Sequence, residues 1–257
     1  NVTGVQTCAL PILDEIGYAG PAPLGKRQFD AYLELHIEQA PVLDREKCDV
    51  GIVVGGYKTQ ALRLTINGDT GHAGGTPMAM RRNALVGAGY VIAAVNDIGL
   101  AYASDEGRTT TTRIESFPNL AGTYAETVKL TLDFRHIDQG RFEAMGREIR
   151  AAIAASAKKA NVEIETVEGW SWGSELFAPE CIDLLRSTAK ELGLPYREMR
   201  SQAGHDAYAV ATLAPTAMIF TPCYEGISHN VNENIELARS VPGANLLLNA
   251  AVARANR

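Results

Sequence analysis

Residues 59–68 read T-Q-A-L-R-L-T-I-N-G, and polar and apolar side chains alternate along them. Leu62, Leu64 and Ile66 would lie on one face of an extended chain, which is the pattern of a strand with one buried face. The segment closes with Asn-Gly, a pair typical of tight turns. We therefore predict a β-strand here.

The segments that follow this strand complete an α+β module. Apolar side chains recur every three or four positions in residues 82–101, which predicts a helix. Residues 108–116 are rich in threonine and residues 127–134 alternate, so both are predicted strands. A second helix is predicted around residues 142–153 and a last strand over residues 162–167. The order β-α-β-β-α-β is that of a ferredoxin-like module.

The flanking segments alternate between strand and helix. Residues 29–37 are a predicted strand, and a helix is predicted from Pro179 to Gly193, with proline near its start and glycine past its end. A short apolar strand over residues 216–220 and a final helix beginning near residues 240–242 follow. This alternation is typical of an α/β domain with a parallel sheet.

We therefore predict an α/β fold in which a ferredoxin-like module interrupts the α/β domain. The module is assigned to residues 57–170, and the α/β domain to residues 13–56 and 171–257. Two glycine-containing stretches, residues 51–57 and 169–176, are the predicted linkers.

The first residues of the chain look foreign to the fold. Residues 2–12 read V-T-G-V-Q-T-C-A-L-P-I, which resembles the in-frame translation of a sequencing-library adapter. We interpret residues 1–12 as a scar of that origin and leave them out of the fold. The alternative is an ordinary N-terminal strand and turn.

Composition and charge exclude several classes of protein. The chain has 257 residues, with 24 Lys and Arg against 30 Asp and Glu, and its net charge of −6 argues against nucleic-acid or anionic-membrane surfaces as partners. The longest apolar run, residues 84–95, is shorter than the about 20 residues that a bilayer requires. Four cysteines without C-x-x-C spacing fit a reducing compartment. We expect a soluble cytoplasmic protein.

Two histidines lie where α/β sheets place ligands. His36, in L-E-L-H-I-E-Q, shares a strand face with Glu34 and Glu38, so it is a candidate metal ligand with carboxylates beside it. His229, in E-G-I-S-H-N, follows a predicted strand of the α/β domain. An edge histidine and a turn histidine are the alternatives, and the local pattern leaves them open. Two histidines with oxygen ligands could hold zinc or manganese.

Three further polar residues are candidates for binding an anion or a substrate. His72 stands in the glycine-rich D-T-G-H-A-G-G-T-P-M, which is otherwise a tight turn. Arg135, in L-D-F-R-H, could take a carboxylate with two hydrogen bonds, although arginine is common at strand ends. His205 opens a helix, where Asp206 could simply be the cap. His136 is given no functional role.

Five motifs together resemble one enzyme family. They are Y-L-E-L-H-I-E-Q-A-P-V-L, G-H-A-G-G-T-P-M-x-x-R-R-N-A-L, L-D-F-R-H, A-G-H-D-A and G-I-S-H-N, in this order. Over residues 29–257 the chain closely resembles the amidase, hydantoinase and carbamoylase branch of the M20 metallohydrolases, which includes N-carbamoyl-L-amino-acid amidohydrolases, allantoate amidohydrolases and β-ureidopropionases. The resemblance implies a zinc-peptidase-like α/β domain with an inserted ferredoxin-like dimerisation lid, and hence a homodimer.

The resemblance also implies roles for individual residues. His36 and His229 would each bind one of two divalent metal ions, zinc or manganese. His72 would reach into the site of the partner subunit and stabilise the oxyanion as the catalytic residue. Arg135 would hold the α-carboxylate of the substrate. The full set of expected substrate-binding residues is Gln39, His72, Asn119, Arg135, Gly204 and His205.

The chain departs from the family pattern at several positions. The family's first metal-binding histidine, bridging aspartate and pair of glutamates would precede Phe29, and the chain does not carry them. Gly122 stands where the family has a substrate-contacting asparagine, so Asn119 is the expected substitute. Ala40 and Val231 are milder changes. We expect the chain alone to be inactive and to aggregate.

The expected function is hydrolysis of a linear C-N bond in an N-carbamoyl-L-amino acid or related ureido acid. An aminoacylase or peptidase of the wider M20 group is the alternative within enzymes, although His in H-I-E-Q, where many of those enzymes have a carboxylate, argues against it. A dimeric binding protein that has lost its metal centre is the non-catalytic alternative.

Overall fold

The computed structural model of the chain describes residues 11–20, 28–173 and 176–256. In chain order the strands are β1 (Tyr32–Ile37), β2 (Gly51–Gly56), β3 (Lys58–Asn67), β4 (Gly71–His72), β5 (Arg108–Phe117), β6 (Thr123–Tyr124), β7 (Thr127–His136), β8 (Glu163–Trp172), β9 (Arg197–Ser201) and β10 (Thr216–Thr221). The helices are α1 (Val42–Glu46), α2 (Ala84–Ala101), α3 (Gln139–Ala160), α4 (Pro179–Glu191), α5 (Asp206–Val210) and α6 (Leu237–Ala255).

The chain divides into two compact units. Unit 1 comprises residues 1–55 and 176–257, and unit 2 comprises residues 56–175. Most of the predicted scar, residues 1–12, lies outside the described residues, and only its last two positions fall in a short helical segment.

Unit 1 is built on a four-stranded sheet in the order β1-β10-β2-β9. The helices α4 and α6 pack against each other, both contact β10, and α6 also contacts β1. Their apolar faces close a core with Ile52, Leu185, Ile219 and Leu246, all fully buried. The mixed α/β character of the prediction is confirmed.

The prediction of a parallel sheet in the α/β domain is wrong for β2. The strand β10 pairs in parallel with β1 but antiparallel with β2. The sequence predicts a linker over residues 51–57, yet residues 51–56 form β2, and Gly51 allows close packing there. A Cβ atom on Gly51 would lie 2.7 Å from Sδ of Met199 and 3.0 Å from Cβ of Phe220. Glycine is needed at position 51 because a larger residue would clash with these side chains, and not because the segment acts as a hinge.

The last helix begins earlier than predicted. The helix α6 starts at Leu237, so Pro242 lies inside it. The serine that suggested a start, Ser240, donates its hydroxyl to the Leu237 carbonyl at 2.8 Å instead of capping the helix. A hydroxyl that bonds back to the preceding turn is compatible with a helix interior.

Unit 2 has the predicted β-α-β-β-α-β order, carried by β3, α2, β5, β7, α3 and β8. Its four-stranded sheet has the order β5-β7-β3-β8 and is antiparallel throughout. Leu62, Leu64 and Ile66 are buried on one face with α2 and α3, as their alternation predicts. Two details differ from the prediction. The strand β8 continues to Trp172 and so includes part of a predicted linker. His72 lies in the short strand β4, which pairs with β6, and not in a turn.

The helix α2 is long and apolar enough, by length and composition, to cross a membrane. Part of it belongs to the core of unit 2, where Ala84, Ala88, Val91 and Val95 are buried. That no segment of this protein spans a membrane stays a prediction.

One buried histidine of unit 2 bonds to the start of a helix. The Nδ1 atom of His136 accepts the backbone N–H of Asp138 at 2.9 Å, and Asp138 is the N-cap of α3. The Nδ1 atom can accept only while it is unprotonated. Burial lowers the pKa of His136 from its ordinary value; Arg141 acts in the same direction, and the nearby carboxylates Asp138, Asp105 and Glu106 oppose it.

We predict that acid destabilises the folded chain in part through His136. Since its pKa in the folded state lies below the ordinary value of 6.5, the unfolded chain binds more protons as the pH falls through 6.5. The free energy of unfolding should therefore fall from about pH 7.5 downwards. The variant His136→Asn keeps an acceptor that does not titrate, so its melting temperature should drop less than that of the wild type between about pH 7.5 and 5.5. Thermal unfolding followed by circular dichroism measures both drops, and equal drops would contradict the prediction.

Candidate metal and substrate site

The end of β1 carries the first part of the candidate site. Glu34 and His36 alternate onto the same face of β1, and His36 stands opposite Phe220 in the parallel pair with β10. The Nδ1 atom of His36 lies 2.8 Å from the carbonyl oxygen of Ile37. Because a carbonyl only accepts, Nδ1 carries the proton. The lone pair of the neutral ring is therefore on Nε2, the arrangement that is typical of a metal-binding histidine.

His205 lies beside His36 at the start of α5. The two imidazole rings are 4.6 Å apart between centroids, and the side chain of His205 is only 1% exposed. Its Nε2 atom is 2.7 Å from Oγ of Ser201, at the end of β9. The Ser201 hydroxyl donates to the carbonyl of Ala203 and accepts the Ala203 N–H. In the tautomer in which the Ser201 proton goes to the Ala203 carbonyl, Nε2–H of His205 donates to Ser201 and Nδ1 keeps its lone pair.

Glu34, His36 and His205 form a group that could hold a metal ion, with one ligand atom from each within 4.8 Å of the others. The buried Nδ1 atom of His205 has no hydrogen-bond partner among the described residues, and it lies 4.0 Å from Oε1 of Glu34. Two atoms that both present lone pairs would repel each other, and a cation between them removes that conflict. These donors fit a divalent transition metal.

The surroundings of His205 lower its pKa and so favour the neutral imidazole. Burial, followed by the influence of His36, lowers the pKa of His205 to about 4. Glu34 is held by the backbone N–H of Ala207 at 3.1 Å and the hydroxyl of Tyr32 at 3.0 Å. Burial and this bond to Glu34 raise the pKa of Tyr32 to about 12, so the hydroxyl stays a donor. A neutral imidazole and an oriented carboxylate are both ready to bind a cation.

Glu38 does not join the group. Its carboxylate accepts the backbone N–H groups of Val42 and Leu43, at 3.1 and 2.8 Å, at the start of α1. Burial raises its pKa, and the two backbone hydrogen bonds counteract that effect. Its role is to anchor α1.

His229 contacts Gln39. Their Nε2 atoms are 3.4 Å apart, and Gln39 comes three residues after His36. His229 has a positive φ of 54°, and its backbone N–H donates to Glu233 at 2.9 Å. The sequence prediction that His36 and His229 share a pair of metal ions remains a prediction. The structure places His205 next to His36, and Gly204 directly precedes it in the loop between β9 and α5. That His205 and Gly204 bind substrate stays a prediction.

In unit 2, the glycine-rich loop orients the ring of His72. The backbone N–H groups of Gly74 and Gly75 both donate to Nδ1 of His72, at 3.1 and 2.9 Å. The proton of the neutral ring is therefore on Nε2, on an exposed side chain. Arg81 holds the same loop by donating to the carbonyls of Ala73 and Thr76. The loop presents an N–H donor to its surroundings.

Arg135 is oriented by a buried carboxylate. Its Nε and Nη2 atoms donate to the two oxygens of Asp133 at 2.9 and 3.2 Å, and the Asp133 side chain is 4% exposed. A two-point pair of this kind fixes the plane of the guanidinium. Arg135 thus lies at a defined place on the sheet of unit 2.

The backbone conformation at residue 122 is one that glycine favours, and glycine stands here where the family has asparagine. Gly122 has a positive φ of 88°, a conformation that glycine favours and asparagine tolerates better than most residues. Its carbonyl accepts the N–H of Ala73 at 2.8 Å, next to His72. Gly122 therefore supports the loop through its backbone. Asn119 lies exposed between β5 and β6, and its role in substrate binding stays a prediction.

Two parts of the site were missed by sequence reasoning. Glu34 was expected only to assist His36, although the period-2 alternation of β1 already places both on one face. The sequence pattern does not predict a role for Ser201, because its contact with His205 depends on the turn between β9 and α5. A hydroxyl four residues before the histidine in S-Q-A-G-H was the available signal.

Comparisons with known proteins agree with this architecture. The sequence profile of Peptidase family M20/M25/M40 matches residues 10–253. An N-carbamoyl-L-amino-acid amidohydrolase of Rhizobium meliloti is 32% identical over 239 residues, which are 93% of this chain and 57% of that protein. An allantoate amidohydrolase of Escherichia coli K12 is 30% identical over 233 residues, which are 88% of this chain and 55% of that protein.

Solved structures show the same fold. The crystal structure of an amidase of the hydantoinase/carbamoylase family from Burkholderia vietnamiensis has a TM-score of 0.90 and 38% identity, and the match covers 94% of this chain and 58% of that one. The chain thus spans little more than half the length of these relatives. Since the family profile matches nearly all of it, this chain belongs to Peptidase family M20/M25/M40.

Proposed function

We propose that this protein is a metal-dependent amidohydrolase that cleaves a linear C-N bond in an N-carbamoyl-L-amino acid or a related ureido acid. The observation that carries the proposal is the group of Glu34, His36 and His205, whose ligand atoms lie within 4.8 Å of one another and include a buried imidazole nitrogen without a hydrogen-bond partner among the described residues. The names of the relatives, which include carbamoyl and allantoate amidohydrolases, support this reaction class.

The metal centre is proposed to contain two divalent ions, zinc or manganese. His36 would hold one through Nε2, with Glu34 and His205 beside it, and His229 would hold the other. Bound metal supplies polarisation of the ureido oxygen and a lowered pKa for a water molecule. The chain's own part would be to present Nε2 of His36 as the ligand atom and to orient the carboxylate of Glu34, which the hydrogen bonds of these two residues favour.

Six residues are proposed to contact the substrate. Arg135 would bind the α-carboxylate with a guanidinium that Asp133 orients, and Gln39, Asn119, His205 and the backbone at Gly204 would contact the rest of the substrate. His72 would donate its Nε2–H to the oxygen that becomes negative. In the proposed homodimer, formed through the ferredoxin-like module, His72 serves the site of the partner subunit. A cytoplasmic location and the absence of nucleic-acid and membrane partners are part of the same proposal.

The reaction itself is tested on the complete product of the gene. We expect ammonia release from N-carbamoyl-L-amino acids or allantoate after loading with zinc or manganese, and loss of that release after treatment with a chelator. Because the metal supplies the nucleophile, restoring it should restore turnover. A complete protein that binds neither metal and hydrolyses none of these compounds would overturn the proposed function.

We predict that metal binding by the complete protein depends on Ser201. The variant Ser201→Ala removes the acceptor that keeps Nε2 of His205 protonated, so its affinity for zinc should fall by about 10- to 100-fold. His205→Ala should lower it at least as much. The control is Ser187→Ala, since Ser187 donates only to the Leu184 carbonyl within α4. Titration calorimetry with zinc measures all four proteins, and equal affinities of wild type and Ser201→Ala would contradict the role of Ser201.

His72 is expected to act on the transition state and not on substrate binding. In the complete enzyme, His72→Ala should lower kcat by about 100- to 1,000-fold, the loss typical of one oxyanion donor, with KM little changed. Met78→Ala is the matched control, because Met78 is 77% exposed near the same loop. A variant that raises KM with unchanged kcat would show that His72 binds the ground state instead.

A further inference from the structure

The two tryptophans of the chain lie next to each other on β8. The rings of Trp170 and Trp172 are stacked, with centroids 5.8 Å apart and planes inclined by 9°. Trp170 is 41% exposed, which is unusual for so large an apolar side chain. The Nε1 atom of Trp172 is buried without a hydrogen-bond partner among the described residues. This tryptophan pair therefore presents an aromatic surface rather than a hydrogen-bonding group.

A bulge in β8 decides which face of the sheet the tryptophan pair occupies. The register between β3 and β8 shifts between Gln60 and Leu62, because Gln60 pairs with Ser171 whereas Leu62 pairs with Glu168. The extra residue in β8 reverses its alternation. Glu168 stays on the helical face, where it bonds to Arg150 of α3 at 2.9 Å. Trp170 and Trp172 consequently point to the opposite face, which α2 and α3 do not cover.

Arg135 lies in the same row of that face. Thr59 pairs directly with Arg135 on one side and with Trp172 on the other, and side chains of directly paired antiparallel residues point the same way. The Cα atoms of Arg135 and Trp172 are thus about two strand spacings, or about 10 Å, apart. That interval suits one amino-acid side chain between a guanidinium and an indole.

The charges of this row favour an anion. Arg108 pairs directly with Arg135, and like charges opposite each other destabilise a sheet. In the adjacent row the carboxylate of Asp133 orients the guanidinium of Arg135. Two positive charges side by side attract an anionic group.

We propose that the tryptophan pair is the side-chain subsite for the substrate, and that it selects N-carbamoyl-L-amino acids with an aromatic side chain. The carboxylate goes to Arg135 and the aromatic ring stacks on the exposed face of Trp170. This inference rests on the proposed function for the role of Arg135. It deepens that function by naming the substrate class, since small polar ureido acids have no group that can stack on indole.

Calorimetry on the metal-free complete product of the gene tests the subsite, because the chain alone is expected to aggregate. This protein should bind N-carbamoyl-L-phenylalanine at least about tenfold more tightly than N-carbamoylglycine, a difference of about 1.4 kcal/mol. Equal affinities for the two compounds, or no binding of either up to millimolar concentration, would overturn the proposal.

Substitutions of Trp170 test whether this residue causes the preference for the aromatic compound. By calorimetry, Trp170→Thr should reduce the affinity for N-carbamoyl-L-phenylalanine to that for N-carbamoylglycine, whereas Trp170→Phe should keep most of the preference. Val167→Thr is the matched control, because Val167 is 61% exposed on the same face of the same strand and should leave both affinities unchanged. A preference that survives in a folded Trp170→Thr protein would place the subsite elsewhere.

The outcomes for the subsite and for the reaction are separable. Selective binding by the complete protein together with no hydrolysis would leave the subsite standing and remove the proposed function. Hydrolysis with a kcat/KM for N-carbamoylglycine equal to or above that for N-carbamoyl-L-phenylalanine would keep the function and remove the subsite.

Discussion

The strands β1 and β10 come from distant parts of the sequence and pair in parallel, from Tyr32 opposite Thr216 to Ile37 opposite Thr221. Parallel strands bring their carboxyl ends to the same edge of a sheet, so this pairing sets the edge at which Glu34 and His36 meet the segments after β9 and β10. The insertion of unit 2 between the strands costs little, because the entropy of closing a loop grows only by about 0.6 kcal/mol for each doubling of its length. A sheet can therefore hold a site together while a whole module is inserted in its sequence.

The elements that the sequence predicts well are those with one buried face. In β3 and β7 the alternation of Leu62, Leu64, Val128 and Leu130 gives both the strand and the face that is buried. In β2 nearly every residue is buried, so no alternation exists, and its glycines suggest a linker. What makes Gly51 necessary is the approach of Met199 and Phe220, two residues far away in the sequence. Contacts between residues far apart in the sequence do not produce a periodic pattern in the sequence around Gly51.

The site shows the same division between local and long-range causes. His36 and His72 stand out from their short motifs, and the structure gives each a defined hydrogen bond. Ser201 enters only through the turn that brings its hydroxyl to His205. Trp170 is on the uncovered face only because one extra residue shifts β8, and simple alternation from Ile164 and Glu168 puts it on the helical face. A single bulge therefore moves Trp170 from what reads as a core position to an exposed one on the other face of the sheet.

Backbone groups give His36 and His72 opposite positions of the ring proton. At His36 a carbonyl oxygen faces Nδ1, which forces the proton onto Nδ1 and leaves a lone pair on Nε2. At His72 two N–H groups face Nδ1, which forces the proton onto Nε2. The first ring thereby offers a lone pair and the second an N–H donor, which are the groups that the proposed metal-binding and oxyanion roles require. Histidine is suited to both tasks, and the glycines after His72 are what distinguish them, because their unhindered backbone can turn two successive N–H groups onto one nitrogen.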